Sequence, residues 1–332
     1  MALNPLLITF VSTLALSLFS VGIVRRVLRD QLLDIPNERS SHKQPTPRGG
    51  GLGFIIAIIL TFAIAQSLQP NLLAGFSPLL WLTLLPLIGV GIVDDWRNLP
   101  SSVRYLVQLT VAVMVVYQCG PFPFPGLDMM GEVGHWIAIG LTLIGVTALI
   151  NFYNFMDGLD GLVAGVSATQ LAFLAVWYHQ PVLWFWVAAL LGFLYWNWSP
   201  AKIFMGDAGS TTLGAIAGIS LLSPSQVDMG LSWMTLTILL PLVGDAIYTL
   251  VRRLMKGENI FQAHRTHLYQ RLNQAGWPHS RVAGIYILYT LLIAFGLNSF
   301  GSSAAWVALG MIPIVLVSTE LLIKAKRSPV DA

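Results

Sequence analysis

Charged side chains are scarce in this chain of 332 residues, because Asp, Glu, Lys and Arg together make up only 10% of it. The single cysteine, Cys119, excludes an intrachain disulfide. The formal net charge of +3 carries no signature of nucleic-acid binding. Apolar residues take the place of charge, at 55% of the chain with a mean hydropathy of +0.72. One soluble core does not need so much apolar surface, so the sequence predicts an integral membrane protein.

Apolar runs that approach the length needed to cross a bilayer recur along the whole chain. There are eleven, of which the third and eighth are short: 4–24, 52–69, 79–93, 103–119, 135–153, 161–178, 182–198, 209–223, 231–251, 282–298 and 303–323. No internal repeat, low-complexity tail or linker divides them. We therefore expect one all-α, polytopic membrane domain over residues 1–332, with about eleven transmembrane helices.

The basic residues are distributed unequally between the loops. If the N-terminus lies outside, all 18 Lys and Arg fall on the cytoplasmic side, and the opposite loops contain none. Arg25, Arg26 and Arg29 follow the first apolar run instead of preceding it, which predicts a retained helix and not a cleaved signal peptide. The basic loops are suited to anionic membrane lipid, and we expect no nucleic-acid partner.

Five polar clusters fall on the predicted cytoplasmic side, after odd-numbered helices. They are RSSHKQPTPRGGG (39–51), IVDDWRN (92–98), NFYNFMDGLDG (151–161), KIFMGDAGS (202–210) and NIFQAHRTHLYQRL (259–272). Together they bring to one membrane face the side chains of Asp94, Asp95, Asn151, Asn154, Asp157, Asp160, Asp207, His264 and His267.

Each cluster alone has a structural explanation, as a helix cap, a solvated Asp-Gly turn or a polar loop. Several carboxylates near the hydrocarbon boundary are nevertheless costly unless a cation offsets them. Mg²⁺, or Mn²⁺, suits carboxylate and amide oxygens, whereas the histidines would also permit Zn²⁺. A bound Mg²⁺ usually completes its coordination with water and substrate phosphates, so the clusters indicate a phosphate-bearing substrate.

In order and spacing, the five clusters resemble the motifs of the polyprenyl-phosphate N-acetylhexosamine-1-phosphate transferase family, also called glycosyltransferase family 4. This family includes phospho-MurNAc-pentapeptide transferase. The resemblance covers nearly the whole chain. It implies a Mg²⁺-dependent enzyme of the bacterial cytoplasmic (inner) membrane. Such an enzyme transfers an N-acetylhexosamine-1-phosphate from a UDP-N-acetylhexosamine to undecaprenyl phosphate and releases UMP.

The resemblance also implies roles for individual residues. Asp207 matches the metal ligand, and Asp95 supports the metal or the phosphate. Asp94 is a candidate base for the lipid phosphate, and His267 matches the first His of the family's H-x-H-H motif, so Asp94, Asp95 and His267 form the expected catalytic set. The expected substrate-binding residues are Lys43, Asn151, Asn154, Asp157, Asp160, His264 and Arg265.

The last cytoplasmic cluster departs from the family pattern. The H-x-H-H motif becomes His267, Leu268, Tyr269 and Gln270, and His264 stands where an Asp is usual. The form HRTHLYQRL resembles the O-antigen branch, whose donors include UDP-linked N-acetylfucosamine and N-acetylquinovosamine. The sugar, the polysaccharide pathway and the polyprenol length stay open. So do the choice between one-step transfer and a covalent intermediate and the choice between monomer and homodimer.

Two other classes of function share some of these features. A secondary transporter also has about ten helices and intramembrane acids, but its site lies near the midplane between internal repeats. A scaffold subunit needs no acidic clusters on one face. The alternative interpretation is therefore a membrane transporter with a cytoplasm-facing acidic site.

Overall fold

The computed structural model describes residues 4–36, 41–42, 44–73, 77–222, 232–260, 262 and 264–327. Its α-helices are α1 (Pro5–Leu28), α2 (Gly51–Leu68), α3 (Pro78–Leu82), α4 (Leu85–Arg97), α5 (Ser101–Cys119), α6 (Gly131–Met156), α7 (Leu162–Trp177), α8 (Leu183–Asn197), α9 (Asp207–Leu222), α10 (Ser232–Thr235), α11 (Leu240–Met255), α12 (Leu268–Gln274), α13 (His279–Phe300) and α14 (Ser302–Arg327). Short 3₁₀ helices cover Pro70–Leu73, Asp128–Met130 and Leu236–Leu239, and two strands, β1 (Leu33–Asp34) and β2 (Thr46–Pro47), form an antiparallel pair.

The helix ends follow local sequence signals. Asn4 accepts a hydrogen bond from the backbone N–H of Leu6 at 3.0 Å, and Pro5 occupies the first turn of α1, where its missing N–H costs nothing. Asn98 adopts the left-handed conformation, with φ of 49°, and ends α4. The next helix, α5, begins directly after Pro100, and proline is favoured where a helix begins.

Helix α9 lies at the centre of the bundle, because every residue from Ala208 to Leu222 is buried. It packs against α2, α4, α6 and α7. Glycines allow this close approach: a Cβ on Gly51 would lie 2.5 Å from the Cα of Gly209, and one on Gly214 would lie 2.6 Å from the Cα of Ile150. Backbone contact of this kind is typical of helices packed in membranes.

The outer helices expose large apolar side chains, such as Phe19 on α1, Leu106 on α5 and Trp306 on α14. Within the described ranges, eight helices are long and apolar enough to cross a membrane, and α7 and α8 are shorter apolar helices. The prediction of an all-α, polytopic membrane protein is confirmed. All eleven predicted segments fall on helices, but the number of crossings and the outside N-terminus stay predictions.

Several polar residues lie on helices and not in the loops where the sequence placed them. Helix α4 continues past its apolar run to Arg97, so Asp94 and Asp95 belong to its last turn. Helix α6 continues to Met156 and includes Asn151 and Asn154. The polar side chains at both helix ends have partners, since Asp94 and Asp95 bind arginines and Asn151 and Asn154 are hydrogen-bonded to neighbouring helices.

Candidate active site

The aspartate pair of α4 is buried, with Asp94 4% and Asp95 8% exposed. Consecutive helical residues point about 100° apart, so the two carboxylates meet different neighbours. Nη1 of Arg104, on α5, donates to Oδ2 of Asp94 at 2.9 Å. Arg48 donates to Oδ1 of Asp95 from Nη2 at 2.6 Å and from Nε at 2.9 Å. Each buried acid therefore has its own arginine, as buried charge requires.

Asp207, the first residue of α9, joins this pair. Its backbone N–H donates to Oδ1 of Asp95 at 3.1 Å. Its Oδ2 lies 3.8 Å from Nη1 of Arg104, the nitrogen that also donates to Asp94, so the two carboxyl groups are neighbours. The preceding Gly206 has φ of +80°, and a Cβ there would lie 2.6 Å from Oδ2 of Asp95. Only glycine fits this turn without strain.

The NFYNFMDGLDG segment contributes side chains from the end of α6 and the following loop. Oδ1 of Asn154 accepts a hydrogen bond from Oγ of Ser210 at 2.7 Å, which ties α6 to the first turn of α9. Nδ2 of Asn151 donates to Oε1 of Gln108 at 2.6 Å. Oδ2 of Asp160 accepts from the backbone N–H of Ala201 at 3.1 Å. The motif thus contacts three neighbouring segments: the first turn of α9, α5 and the segment before α9.

Among the described residues, no arginine donates a hydrogen bond to the carboxylate of Asp157. Its side chain is partly open to a cavity but lies deep among protein atoms, and this desolvation raises the pKa of Asp157 well above its usual value. The nearby carboxylates of Asp207 and Asp95 raise it further. Asp157 is therefore easier to protonate than an exposed aspartate.

Two cavities meet at this cluster. The smaller, of about 310 Å³, is lined by more polar than apolar residues: Asp34, Ser41, His42, Asp157, Gly158, Asp160, Asn197, Gln270 and His279, with Leu159, Phe204, Met205 and Gly206. The larger, of about 970 Å³, has mainly apolar walls that include Leu87, Val90, Leu109, Leu143, Ile144, Phe152 and Leu250, and its polar lining residues include Asp94, Asn98, Ser101, Arg104, Asn151 and His267. Three residues line both cavities: Arg48, Asn154 and Asp207.

The histidine cluster lies beside the larger cavity. His264 and His267 both line it, with ring centroids 4.9 Å apart. His264 is in a loop and His267 precedes the first residue of α12, so they do not share a helical face. Nδ1 of His267 is 3.6 Å from Oδ1 of Asp245, a buried carboxylate that also accepts from the backbone N–H groups of Leu268 and Tyr269.

One predicted substrate residue is placed differently. Arg265 lines neither of these two cavities, and its Nη2 donates to Oγ of Ser41 at 3.2 Å. Lys43 lies outside the described residues. Asp95 also lines neither cavity. Its Oδ1 accepts hydrogen bonds from Nη2 of Arg48 and from the backbone N–H of Asp207. Its assignment as a second metal ligand stays a prediction.

Comparison with known proteins places the chain. A family model described as glycosyl transferase family 4 matches residues 77–224. Decaprenyl-phosphate N-acetylglucosaminephosphotransferase of Mycobacterium tuberculosis is 32% identical, over 96% of this chain and 89% of that protein. The chain belongs to glycosyl transferase family 4.

Further relatives agree with this family 4 membership. Phospho-N-acetylmuramoyl-pentapeptide-transferase of Oceanobacillus iheyensis is 32% identical, over 89% of this chain and 97% of that protein. Undecaprenyl-phosphate alpha-N-acetylglucosaminyl 1-phosphate transferase of Escherichia coli is 30% identical, over 91% of this chain and 84% of that protein. The relatives are phosphosugar transferases, so this family 4 protein is a membrane transferase. The transporter and scaffold interpretations find no support in them.

The residues at the junction of the cavities fit a Mg²⁺ ion. Among the described residues, no three His, Cys, Asp or Glu side chains form a complete metal cage. Mg²⁺ does not require one, since one or two carboxylates with waters and substrate phosphates suffice. Asp207 offers such a carboxylate, and Asp94, which approaches the same nitrogen of Arg104, lies beside it. A soft or closed site of the kind that structural Zn²⁺ needs is not present in this part of the chain.

Several polar residues of the candidate site escaped the sequence analysis, among them Arg48, Arg104, Asp245 and His279. Arg48 stood in the first polar cluster without a role, Arg104 was counted only as a topology signal, and Asp245 lies inside an apolar run. The sequence could have indicated Asp245, because an acid within a predicted membrane helix is costly and usually has a specific partner.

Proposed function

We propose that this family 4 protein transfers an N-acetylhexosamine-1-phosphate from a UDP-N-acetylhexosamine to undecaprenyl phosphate. The reaction releases UMP and begins a cell-surface polysaccharide at the bacterial inner membrane. The observation that carries this proposal is the meeting of a polar and an apolar-walled cavity at Arg48, Asn154 and Asp207. A reaction between a water-soluble donor and a lipid acceptor needs such a junction.

The larger cavity suits the lipid acceptor. Its leucine, isoleucine and phenylalanine walls favour isoprene units, because burial of apolar surface is favourable at about 25 cal/mol per Å². Arg104, Asn98 and Ser101 lie at its polar end and suit the phosphate headgroup. This arrangement keeps the polyprenyl chain in an apolar environment while its phosphate reaches Asp94.

The smaller cavity suits the nucleotide sugar. Its walls offer Asn154, Asp157, Asp160 and Asn197 as hydrogen-bonding groups. Arg48 is shared by both cavities and is well placed to bind a diphosphate, because its guanidinium pairs readily with phosphate oxygens. Donor and acceptor phosphates then lie on two sides of the same residues.

Asp207 would hold the Mg²⁺ that the family implies, and the bound ion would supply neutralisation of charge on the donor diphosphate. Side chains of the protein accept the proton, neutralise the acceptor phosphate and orient the donor. Asp94 accepts the last proton of the lipid phosphate where one remains. Arg104 neutralises that phosphate, and Arg48 orients the diphosphate. Transfer depends on positioning and charge stabilisation, as phosphoryl transfers generally do.

The bond changes follow from this placement. An oxygen of the lipid phosphate attacks the phosphorus next to the sugar, and the bond from that phosphorus to the oxygen of UMP breaks. UMP leaves with the electron pair. One phosphoanhydride replaces another, so the exchange is close to reversible. Arg48, Asn154 and Asp207 line both cavities, so the same residues bind the two phosphates whether transfer is a single in-line displacement or passes through a covalent phosphosugar intermediate.

The sugar belongs to a narrower proposal. The sequence His267-Leu268-Tyr269-Gln270 and the His at 264 support the O-antigen-like branch. Within that branch, UDP-N-acetylfucosamine and UDP-N-acetylquinovosamine are the proposed donors. Gln270, one of the residues that differ from the family's H-x-H-H motif, lines the smaller cavity, beside the proposed donor.

Mass spectrometry of the lipid product tests the proposal. Purified protein, Mg²⁺ and undecaprenyl phosphate are incubated with a panel of UDP-N-acetylhexosamines, and both the lipid and the released nucleotide are measured. We expect a lipid diphosphate sugar and UMP, and little product from a water-soluble phosphate monoester. Release of UDP with a lipid monophosphate sugar would show that the assigned reaction is wrong.

A further inference from the structure

Gln108 is a polar side chain in the wall of the mainly apolar larger cavity. It lies on α5, is only 5% exposed, and lines this cavity together with Arg104 and Asn151. The sequence analysis gave Gln108 no role, because a single glutamine does not interrupt an apolar run. In the structure, the two ends of its amide group have different surroundings.

The contacts of Asn151 determine which end of the Gln108 amide is bonded to the protein. Nδ2 of Asn151 lies 2.8 Å from the backbone oxygen of Thr147 and 2.6 Å from the side chain of Gln108. A backbone oxygen only accepts, so the atom of Asn151 that contacts both partners is the amide nitrogen, which donates. Its second partner must then be Oε1 of Gln108. The opposite end of the Gln108 amide is therefore Nε2, which carries two N–H donors.

Nε2 of Gln108 needs an acceptor from outside the protein. Among the residues that the structure describes, no oxygen accepts a hydrogen bond from it. A buried amide N–H without an acceptor costs free energy, so this end of the side chain requires a partner in the cavity. The neighbouring apolar walls, such as Leu109 and Leu143, offer none. An isoprene chain offers none either, which leaves water or the phosphate oxygens of a ligand.

The position of Gln108 on α5 favours the phosphate. Ser101, Arg104 and Gln108 follow each other at intervals of three and four residues, so they share one face of the helix. All three line the larger cavity. Arg104 and Gln108 are about 6 Å apart along the helix axis, at about 1.5 Å per residue. A phosphate group between them would meet the guanidinium on one side and the N–H donors of Nε2 on the other.

We propose that Gln108 is a binding residue of the acceptor subsite, where its Nε2 donates to a phosphate oxygen of the polyprenyl phosphate. Asn151 is the positioning residue, because its hydrogen bond to Oε1 leaves the amino end of the Gln108 amide for the cavity. Gln108 holds the phosphate beside Arg104, while the isoprene chain lies along the apolar walls. This inference rests on the function proposed above for the larger cavity.

Native mass spectrometry of the purified full-length protein with undecaprenyl phosphate, in the absence of donor, tests the proposal. Undecaprenol, which has the same chain and no phosphate, is the second ligand. Gln108→Met removes both ends of the amide and keeps an unbranched side chain of similar length. We expect its Kd for undecaprenyl phosphate to rise about 10- to 100-fold, as the loss of a hydrogen bond to a charged group does. Its Kd for undecaprenol should match that of wild type.

Steady-state kinetics identify which phosphate Gln108 binds. In Gln108→Met the KM for undecaprenyl phosphate should rise and the KM for the UDP-sugar should stay unchanged. A rise in the donor KM alone would assign Nε2 to the donor diphosphate and overturn the proposal. Asn151→Leu should raise the acceptor KM less than Gln108→Met and add nothing to it in the double variant, because Asn151 acts through Gln108. Asn151→Leu also keeps the test decisive if Gln108→Met folds poorly.

Gln118→Met is the matched control. Gln118 lies on the same helix, lines neither cavity, and donates from Nε2 to the backbone oxygen of Met114 at 3.3 Å, so its variant should bind both ligands as wild type does. If the wild-type protein binds no undecaprenyl phosphate, the acceptor assignment fails and this proposal fails with it. If wild type binds it and Gln108→Met keeps the wild-type Kd, the amide holds only water. The role of Gln108 is then wrong while the proposed function stands.

Discussion

Gly91 controls how closely α4 approaches the start of α9. A Cβ placed on Gly91 would lie 2.4 Å from the Cα of Ala208 and 2.9 Å from the carbonyl carbon of Asp207. Ordinary van der Waals contact for a Cβ begins near 3.4 Å, so a methyl group there is about 1 Å too close. The obstacle is backbone, which cannot rotate away, so the first turn of α9 must shift relative to α4.

The Gly91→Ala change should therefore separate Asp94 from Asp207 by about 1 Å. A displacement of 1 Å in an active site typically costs about 100-fold in rate. We expect kcat to fall about 100-fold while the helices remain inserted, because the substitution itself raises helix propensity by about 1 kcal/mol. The initial rate of UMP release with undecaprenyl phosphate and UDP-sugar measures this effect.

Gly89 provides the matched control, since it lies on the same helix and a Cβ there meets nothing within 4 Å. Gly89→Ala gains the same helix propensity without touching α9, so its rate should stay near wild type. Thermal melting should show that both variants are folded. Equal rates for the two folded variants would refute the reasoning that the contact of α4 with α9 sets the distance between the carboxylates of Asp94 and Asp207.

The remaining predictions concern the metal, the acceptor and the direction of the reaction. Asp207→Asn should insert and fold but lose most activity, because an amide cannot offset a divalent cation as a carboxylate does; near-normal turnover at ordinary Mg²⁺ concentration would remove Asp207 from the site. Arg104→Gln should raise the KM for undecaprenyl phosphate about tenfold, since a charge-assisted contact contributes about 1.5–3 kcal/mol, whereas Arg97→Gln, at an exposed arginine of α4, should not. Added UMP should drive the reaction backwards and regenerate UDP-sugar from the lipid diphosphate sugar, and a failure of labelled UMP to enter UDP-sugar would contradict anhydride exchange.

The helices were predictable because each is an apolar run bounded by polar or glycine- and proline-containing segments. Their ends were less so. The sequence ended the third run at residue 93, whereas α4 continues to Arg97, because Asp94 and Asp95 are satisfied by arginines that a single helix does not reveal. Hydropathy treats such acids as loop residues, although pairing and burial allow them on a helix.

The membership of the site was largely predictable, and its contacts were not. The polar clusters indicated that Asp94, Asp157 and Asp207 share one end of the bundle. The partners of these residues depend on tertiary packing between segments far apart in the chain, as for Arg48 with Asp95 or His279 with Asp160. No local pattern marks His279, since a histidine after Pro278 fits many helix starts equally well.

The arginines also explain how a cluster of acids can receive phosphate groups at all. Asp94, Asp95 and Asp207 carry three negative charges when ionised, and Arg48 with Arg104 carry two positive charges, which leaves one negative charge on the cluster. A divalent cation would convert this to one positive charge, so binding of a phosphate-bearing substrate would become favourable once the ion is held. Without the two arginines the same cation would leave the cluster negative, and the donor diphosphate would meet net repulsion. The requirement for Arg48 and Arg104 thus follows from charge balance as well as from the hydrogen bonds that each arginine donates.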